Sequence, residues 1–107
     1  MTTKRLEFLE KAAETATADA FSLYALAMEY RKEKRAADAL ATFERLRAKD
    51  AEYLPMYLMA GQLLIDEGRE AEARPWLEAG IELATNKGNS KAKNELQQAL
   101  EACDGEG

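Results

Sequence analysis

The sequence contains no histidine, no valine and a single cysteine, Cys103. Each gap excludes something. Without histidine the chain lacks the commonest general base near neutral pH and the commonest metal ligand. One cysteine rules out an internal disulfide and a cysteine-based zinc site within one chain. With valine missing and alanine at about a fifth of all residues, the composition favours helix over strand. No apolar run approaches the ~20 residues that span a bilayer. Where a signal peptide would need an apolar stretch, the first ten residues carry Glu7 and Glu10. The expectation is a soluble protein of a reducing cytoplasm, with no membrane contact.

Positive charge is also scarce. The net charge is −5 and the pI about 4.8, with one short basic run, Arg31-Lys32-Glu33-Lys34-Arg35. A duplex-binding surface needs clustered Lys and Arg to replace phosphate counterions, so nucleic acid is not an expected partner. The acidity fits solubility, and equally a high-salt cytoplasm. The basic run reads first as cations offsetting the negative end of a helix. A sharper reading has Arg31 and Lys32 meeting an acidic ligand.

Signs of catalysis are missing too. There is no glycine-rich phosphate loop, nucleophile elbow or metal constellation. Carboxylate pairs such as Glu70 with Glu72, or Asp66 with Glu67, fall at helix ends and on polar faces, where charge patterning means solvation. No catalytic residue, metal or cofactor is expected. Trp76 reads as packing and Cys103 as a small apolar residue.

What is present is a pattern written twice. Leu23-x2-Leu26-Ala27-x2-Tyr30, then Ala39-x3-Phe43, returns 34 residues later as Tyr57-x2-Ala60-Gly61-x2-Leu64, then Ala73-x3-Leu77. A fixed period of this size marks a solenoid of stacked helical hairpins. At 107 residues the chain is one domain by length, and hydrophobic residues at 47% with charged residues at 33% suit a globular protein.

The helices follow from local signals. Thr2 or Thr3 can cap a first helix carrying Leu6, Leu9 and Ala13, with Phe8 and Ala12 flanking, which fades near residues 15–17. Leu9 lies 34 before Phe43 and Ala12 lies 34 before Leu46, so this segment (3–17) is the second helix of a half-repeat. Asp19 caps the next helix, whose stripes Phe21, Tyr24, Ala25, Met28 and Leu23, Leu26, Ala27, Tyr30 predict contacts on two sides. A helix over 36–48 follows, with Ala39, Leu40, Phe43 and Leu46 as its apolar face. Small Ala39 opposite Ala27 lets two helices cross closely, and Ala73 and Gly61 take those places in the second unit. Asp50 caps or turns the chain into a helix over 53–67, with Pro55 in its first turn and Gly68 ending it. A helix over 70–85 carries Ala73, Trp76, Leu77, Ile81 and Leu83, with Pro75 disturbing its first turn. A last helix over 90–103 lines Ala92, Leu96, Ala99, Leu100 and Cys103 on one face and is polar outside, as a terminal cap requires. Residues 104–107 read as a tail.

These residues resemble the tetratricopeptide repeat, W-x2-L-G-x2-Y, then A-x3-F, then P. Leu26, Tyr30, Ala39 and Phe43 match in the first unit (20–53), and Gly61 and Ala73 in the second (54–87). Leu23 and Tyr57 replace the tryptophan, Ala27 the first glycine, Leu64 and Leu77 the aromatics, and Ala51 and Thr85 the closing proline. The resemblance implies an all-α, right-handed solenoid of antiparallel helix pairs, here two repeats with capping helices at 3–17 and 88–103. It further implies a non-enzymatic interaction module. In the family the first helix of each pair lines a concave groove that binds a peptide or helix of a partner protein. The corresponding residues are Phe21, Tyr24, Ala25, Met28, Arg31 and Lys32, then Leu58, Met59, Gln62, Ile65 and Asp66, with Lys93 and Leu96 from the cap. The Lys, Asn and Arg clamp that grips chaperone C-termini is largely missing, since Tyr24 or Met28, Met59, and Asn89 or Lys93 stand there. Phe, Tyr, Met, Leu and Ile on a surface form an apolar patch that marks a contact. The alternative to an external partner is self-association, as a homodimer through the groove or the cap helix.

Overall fold

A computed structural model of the chain describes residues 3–15 and 18–104. Among them there are six helices and no strand: α1 (Lys4–Glu14), α2 (Ala20–Lys32), α3 (Ala36–Lys49), α4 (Pro55–Asp66), α5 (Glu70–Lys87) and α6 (Ser90–Asp104). No described helix is long and apolar enough to cross a membrane. The chain forms two compact units, 1–51 and 52–107.

In the first unit α2 is the central element and packs against both α3 and α1. Its start is set by Asp19, whose carboxylate accepts from the Ser22 N–H at 2.8 Å. That bond holds the Asp19 carboxyl below its usual range. Thr3 caps α1 in the same way, accepting from the Leu6 N–H at 3.0 Å; Thr2, the other expected cap, and residues 16–17 lie outside the described residues. Leu6, Leu9 and Ala13 of α1, Leu23, Leu26 and Ala27 of α2, and Ala39, Phe43 and Leu46 of α3 are buried. Ala27 and Ala39 have no exposed surface at all, the condition for the close crossing their size predicts. Leu40 is only half-buried, and Thr42 takes a buried place on α3 by returning its hydroxyl proton to the Asp38 carbonyl at 2.8 Å.

Polar contacts tie α1 down. Arg5 Nε donates to Glu29 Oε1 at 3.0 Å, although Glu29 is buried with 7% of its side chain exposed. The Tyr30 hydroxyl donates to Glu10 Oε2 at 2.5 Å. Arg45 of α3 donates to the Ala13 carbonyl at 3.0 Å, satisfying one of the acceptors that the end of α1 leaves without an intrahelical donor.

In the second unit α4 packs against α5 and α6, and α5 against α6. Pro55 opens α4, where its missing N–H is not required. Asp50 does not reach this helix: it ends α3 as its C-cap, and Leu54 precedes α4 without a side-chain cap. The helix therefore starts two residues later than the predicted 53. Both glycines inside helices mark close crossings. A Cβ on Gly61 would stand 2.4 Å from Leu77 Cδ2, and one on Gly80 would stand 2.7 Å from Tyr57 Cβ and 2.8 Å from Leu96 Cδ2. Trp76 is buried against Tyr57, ring centroids 6.0 Å apart. α5 runs on through Pro75 to Lys87, two residues past the predicted 85, and its first turn is doubly bonded, with the Arg69 carbonyl accepting from both Glu72 and Ala73. Gly88 in the left-handed region ends it, and Asn89 caps α6 by accepting from the Ala92 N–H at 3.0 Å. Leu96, Ala99 and Cys103 are buried, while Ala92 and Leu100 are half-buried. Arg74 pairs with Asp104, joining α5 to the end of α6. Asp104 is thus still helical; 105–107 lie outside the described residues.

Candidate functional site

The two first helices carry the same kind of face in the same register. On α2, Phe21, Tyr24, Ala25, Met28, Arg31 and Lys32 recur at the i, i+3/i+4, i+7, i+11 spacing of one side of a helix. The buried side is the other one, Leu23, Leu26 and Ala27. Phe21 is 67% exposed and Lys32 is exposed, whereas Tyr24, Ala25, Met28 and Arg31 are half-buried. Tyr24 is held by its ring, tilted against Phe43 with centroids 6.5 Å apart. Lys32 Nζ stands 3.9 Å from Glu29 Oε2, at the outer limit of an ion pair and well in solvent.

On α4 the positions 34 further on are Leu58, Met59, Gln62, Ile65 and Asp66. The first four are half-buried and Asp66 is exposed. Met56, Tyr57, Ala60, Gly61, Leu63 and Leu64 of the same helix are buried, and α4 packs against α5 and α6. On α6, Lys93 is half-buried, and Leu96 is fully buried in the unit's own core, so it offers nothing to a ligand. Chemically these faces offer apolar and polarizable side chains with few fixed polar groups. They suit burial of another chain's apolar residues. Among the described residues no three His, Cys, Asp or Glu side chains come together as metal ligands would.

Three features of these helices and their turns escape a reading of the sequence. Lys34, just after α2, has φ 63°, the left-handed region that Gly68 and Gly88 also occupy. Arg35 precedes α3 and pairs with Asp38 at 2.9 Å, as Arg69 precedes α5 and pairs with Glu72 at 2.6 Å. The Arg69 pair holds the Glu72 carboxyl below its usual range. The signal was available: basic residue, two others, acidic residue, repeated at the same period. Arg35 also lies 4.8 Å over the Tyr30 ring. The third feature is Glu29, whose burial depends on Arg5, 24 residues away, and has no local mark.

The comparisons with known proteins agree with this geometry. Residues 54–87 match the family model described as tetratricopeptide repeat. The chain is similar to a tetratricopeptide repeat domain protein from Salinibacter ruber. Against its solution structure the identity is 36%, with 85% of this chain and 92% of that one covered and a TM-score of 0.77. Against its crystal structure the values are 37%, 83%, 100% and 0.77. A Bordetella parapertussis protein, 24% identical, shares the fold over 99% of this chain and 91% of that one, with a TM-score of 0.82. No curated protein matches. Two near-copies of a helical hairpin, a matching family model and a relative covered almost end to end agree: the chain belongs to the tetratricopeptide repeat family.

Proposed function

We propose that this chain is a non-enzymatic protein–protein interaction module of the cytoplasm. Its first-helix faces, the ones that line the concave groove in the family, bind a peptide or helix of a partner protein. The family is one of interaction modules, typically without catalytic activity. The observation that carries the reading for this chain is Phe21. It is a large aromatic at 67% exposure, continuous along α2 with Tyr24, Ala25 and Met28. Burying such a side chain against a partner is worth ~1.5–3 kcal/mol, so a few of them suffice for specific binding. Arg31 and Lys32 continue the face at the end of α2; in the second unit the proposed contact residues are Leu58, Met59, Gln62 and Ile65 on α4 and Lys93 on α6.

The alternative, self-association, is weaker at the cap helix. The outer face of α6 is Lys91, Asn94, Glu95, Gln97, Gln98 and Glu101, all exposed and polar, and a homodimer interface is apolar at its centre. A photo-cross-linking amino acid placed at Phe21, and in a control at exposed Glu44, separates the outcomes. The proposal requires one protein species cross-linked in cells from position 21 and not from 44, rebound in purified form, and lost with Phe21→Glu. Equal cross-linking from both positions overturns it. So does a tight dimer in light scattering that Phe21→Glu dissolves, which establishes the homodimer instead.

A further inference from the structure

The repeat period places Phe8, Thr42 and Trp76 at one equivalent position, and Ala12, Leu46 and Gly80 at the next, one helical turn on. In the second unit the pair Trp76 and Gly80 is a seat. Tyr57 of α4 packs its ring on Trp76, and Gly80 is bare so that the Tyr57 Cβ can approach. On α1 the same pair is rebuilt as Phe8 and Ala12, a large aromatic and a small residue at i and i+4. Here the seat stays open: Phe8 is 70% exposed, the most exposed large apolar side chain among the described residues. Neither α2 nor α3 covers it, because α1 turns Leu6, Leu9 and Ala13 toward its unit's core. Lys4 and Lys11, at i−4 and i+3 from Phe8, stand beside it and are exposed. Glu7 and Glu14 lie further round the helix.

We propose that the Phe8–Ala12 face of α1 docks an acidic amphipathic helix of another protein, with an aromatic side chain of that helix seated between Phe8 and Ala12. The equivalent seat is filled by an aromatic from a helix, so a helix is the shape that fits. Lys4 and Lys11 select carboxylates flanking that aromatic. This surface is distinct from the faces of α2 and α4, so the two readings stand or fall separately.

The probe is a synthetic, fluorescently labelled helix of about 15 residues, with one central tyrosine and glutamates at i−4 and i+3 from it. Its anisotropy is titrated with the whole chain at low ionic strength. Saturable binding is expected, weakened at least about tenfold by Phe8→Ala, by Ala12→Leu, and by replacing the probe tyrosine with alanine. Lys4→Glu with Lys11→Glu weakens it comparably, and added salt does so progressively. Tyr24→Ala leaves it unchanged. Phe8→Ala removes an exposed side chain, so its unchanged melting temperature confirms that lost binding is not lost folding. Three results overturn the proposal: no saturable binding, binding indifferent to Phe8→Ala, or self-association in light scattering that Phe8→Ala abolishes, which makes a second copy the occupant.

Discussion

Lys34 and Gly68 occupy the same left-handed conformation 34 residues apart, φ 63° and 72°, and each is followed by the same pair of turn bonds. After α2, Lys34 N–H bonds to Arg31 and Arg35 N–H to Tyr30; after α4, Gly68 N–H bonds to Ile65 and Arg69 N–H to Leu64. The turn joining the helices of a pair thus demands a positive φ whatever residue stands there. Glycine meets that demand at no steric cost, whereas a side chain is strained by ~1 kcal/mol. Lys34→Gly is therefore expected to stabilise the chain by ~0.5–1 kcal/mol. Gly68→Lys is expected to destabilise it by a similar amount or more, although nothing lies within 4 Å of a Cβ there. Denaturant midpoints of both variants check this, and a shift of the same sign in both contradicts the shared conformation.

The crossing of α4 and α5 depends on a missing side chain. Leu77 fills the space where a Gly61 Cβ would be, so Gly61→Ala must displace a buried leucine, at ~1–3 kcal/mol. Leu77→Ala alone leaves a cavity and costs ~2–5 kcal/mol. The double variant should cost less than the two single costs combined, since the new methyl enters space the leucine vacates. Simple additivity in a thermal-unfolding cycle argues against this contact. Ala39→Leu and Ala73→Leu, at sites with no exposed surface, are expected to destabilise by a similar ~1–3 kcal/mol.

These cases show where the fold was legible. The period, the small residues at Ala27, Ala39, Gly61 and Ala73, and Gly68 as a stop all follow from local chemistry that alternative residues do badly. Lys34 gives no such sign, because lysine has no preference for positive φ; only its register with Gly68 betrays it. Gly80 was silent for the opposite reason. Its role is set by Tyr57 and Leu96, which sequence distance hides. The outward face of α2 could be read from its stripe, yet its half-buried members are partly held from inside, as Tyr24 is by Phe43. The start of α4 falls two residues later than expected, and of the two roles open to Asp50 it is not the cap of α4, because a good capping residue helps only if the helix begins beside it.

Glu29 should report the docking of α1. A buried carboxylate requires a partner, and Arg5 supplies the closest at 3.0 Å. After Arg5→Met, the cation that remains beside Glu29 among the described ion pairs is Lys32, at 3.9 Å. A loss of ~1–2 kcal/mol is expected, held to the lower end because the Arg5 side chain is mostly in water. Glu29→Gln with Arg5→Met should recover part of it. Amide hydrogen exchange gives the sharper readout: faster exchange confined to α1 in Arg5→Met. Unchanged α1 protection would mean the pair does not anchor the helix.

Tyr30 gives the fold an alkaline limit. Burial, then its hydrogen bond to Glu10, then the Glu10 charge raise its pKa from 10.0 to about 12, against a smaller opposing pull from Arg35. The neutral phenol is thus favoured in the folded chain. Because the folded pKa lies above the unfolded one, this contribution is complete below pH 10.0 and is lost as pH rises toward about 12. Above that window the phenolate would face the Glu10 carboxylate and α1 should loosen. In Tyr30→Phe the hydrogen bond is gone at every pH, lowering stability by ~1 kcal/mol near neutrality. The difference between wild type and variant should then shrink between pH 10.0 and about 12. Spectrophotometric titration of both proteins should show that the tyrosine missing from the variant is one ionising near the upper end of that range. A missing ionisation near 10.0 instead would show that the burial of Tyr30 and its Glu10 bond do not persist together in solution.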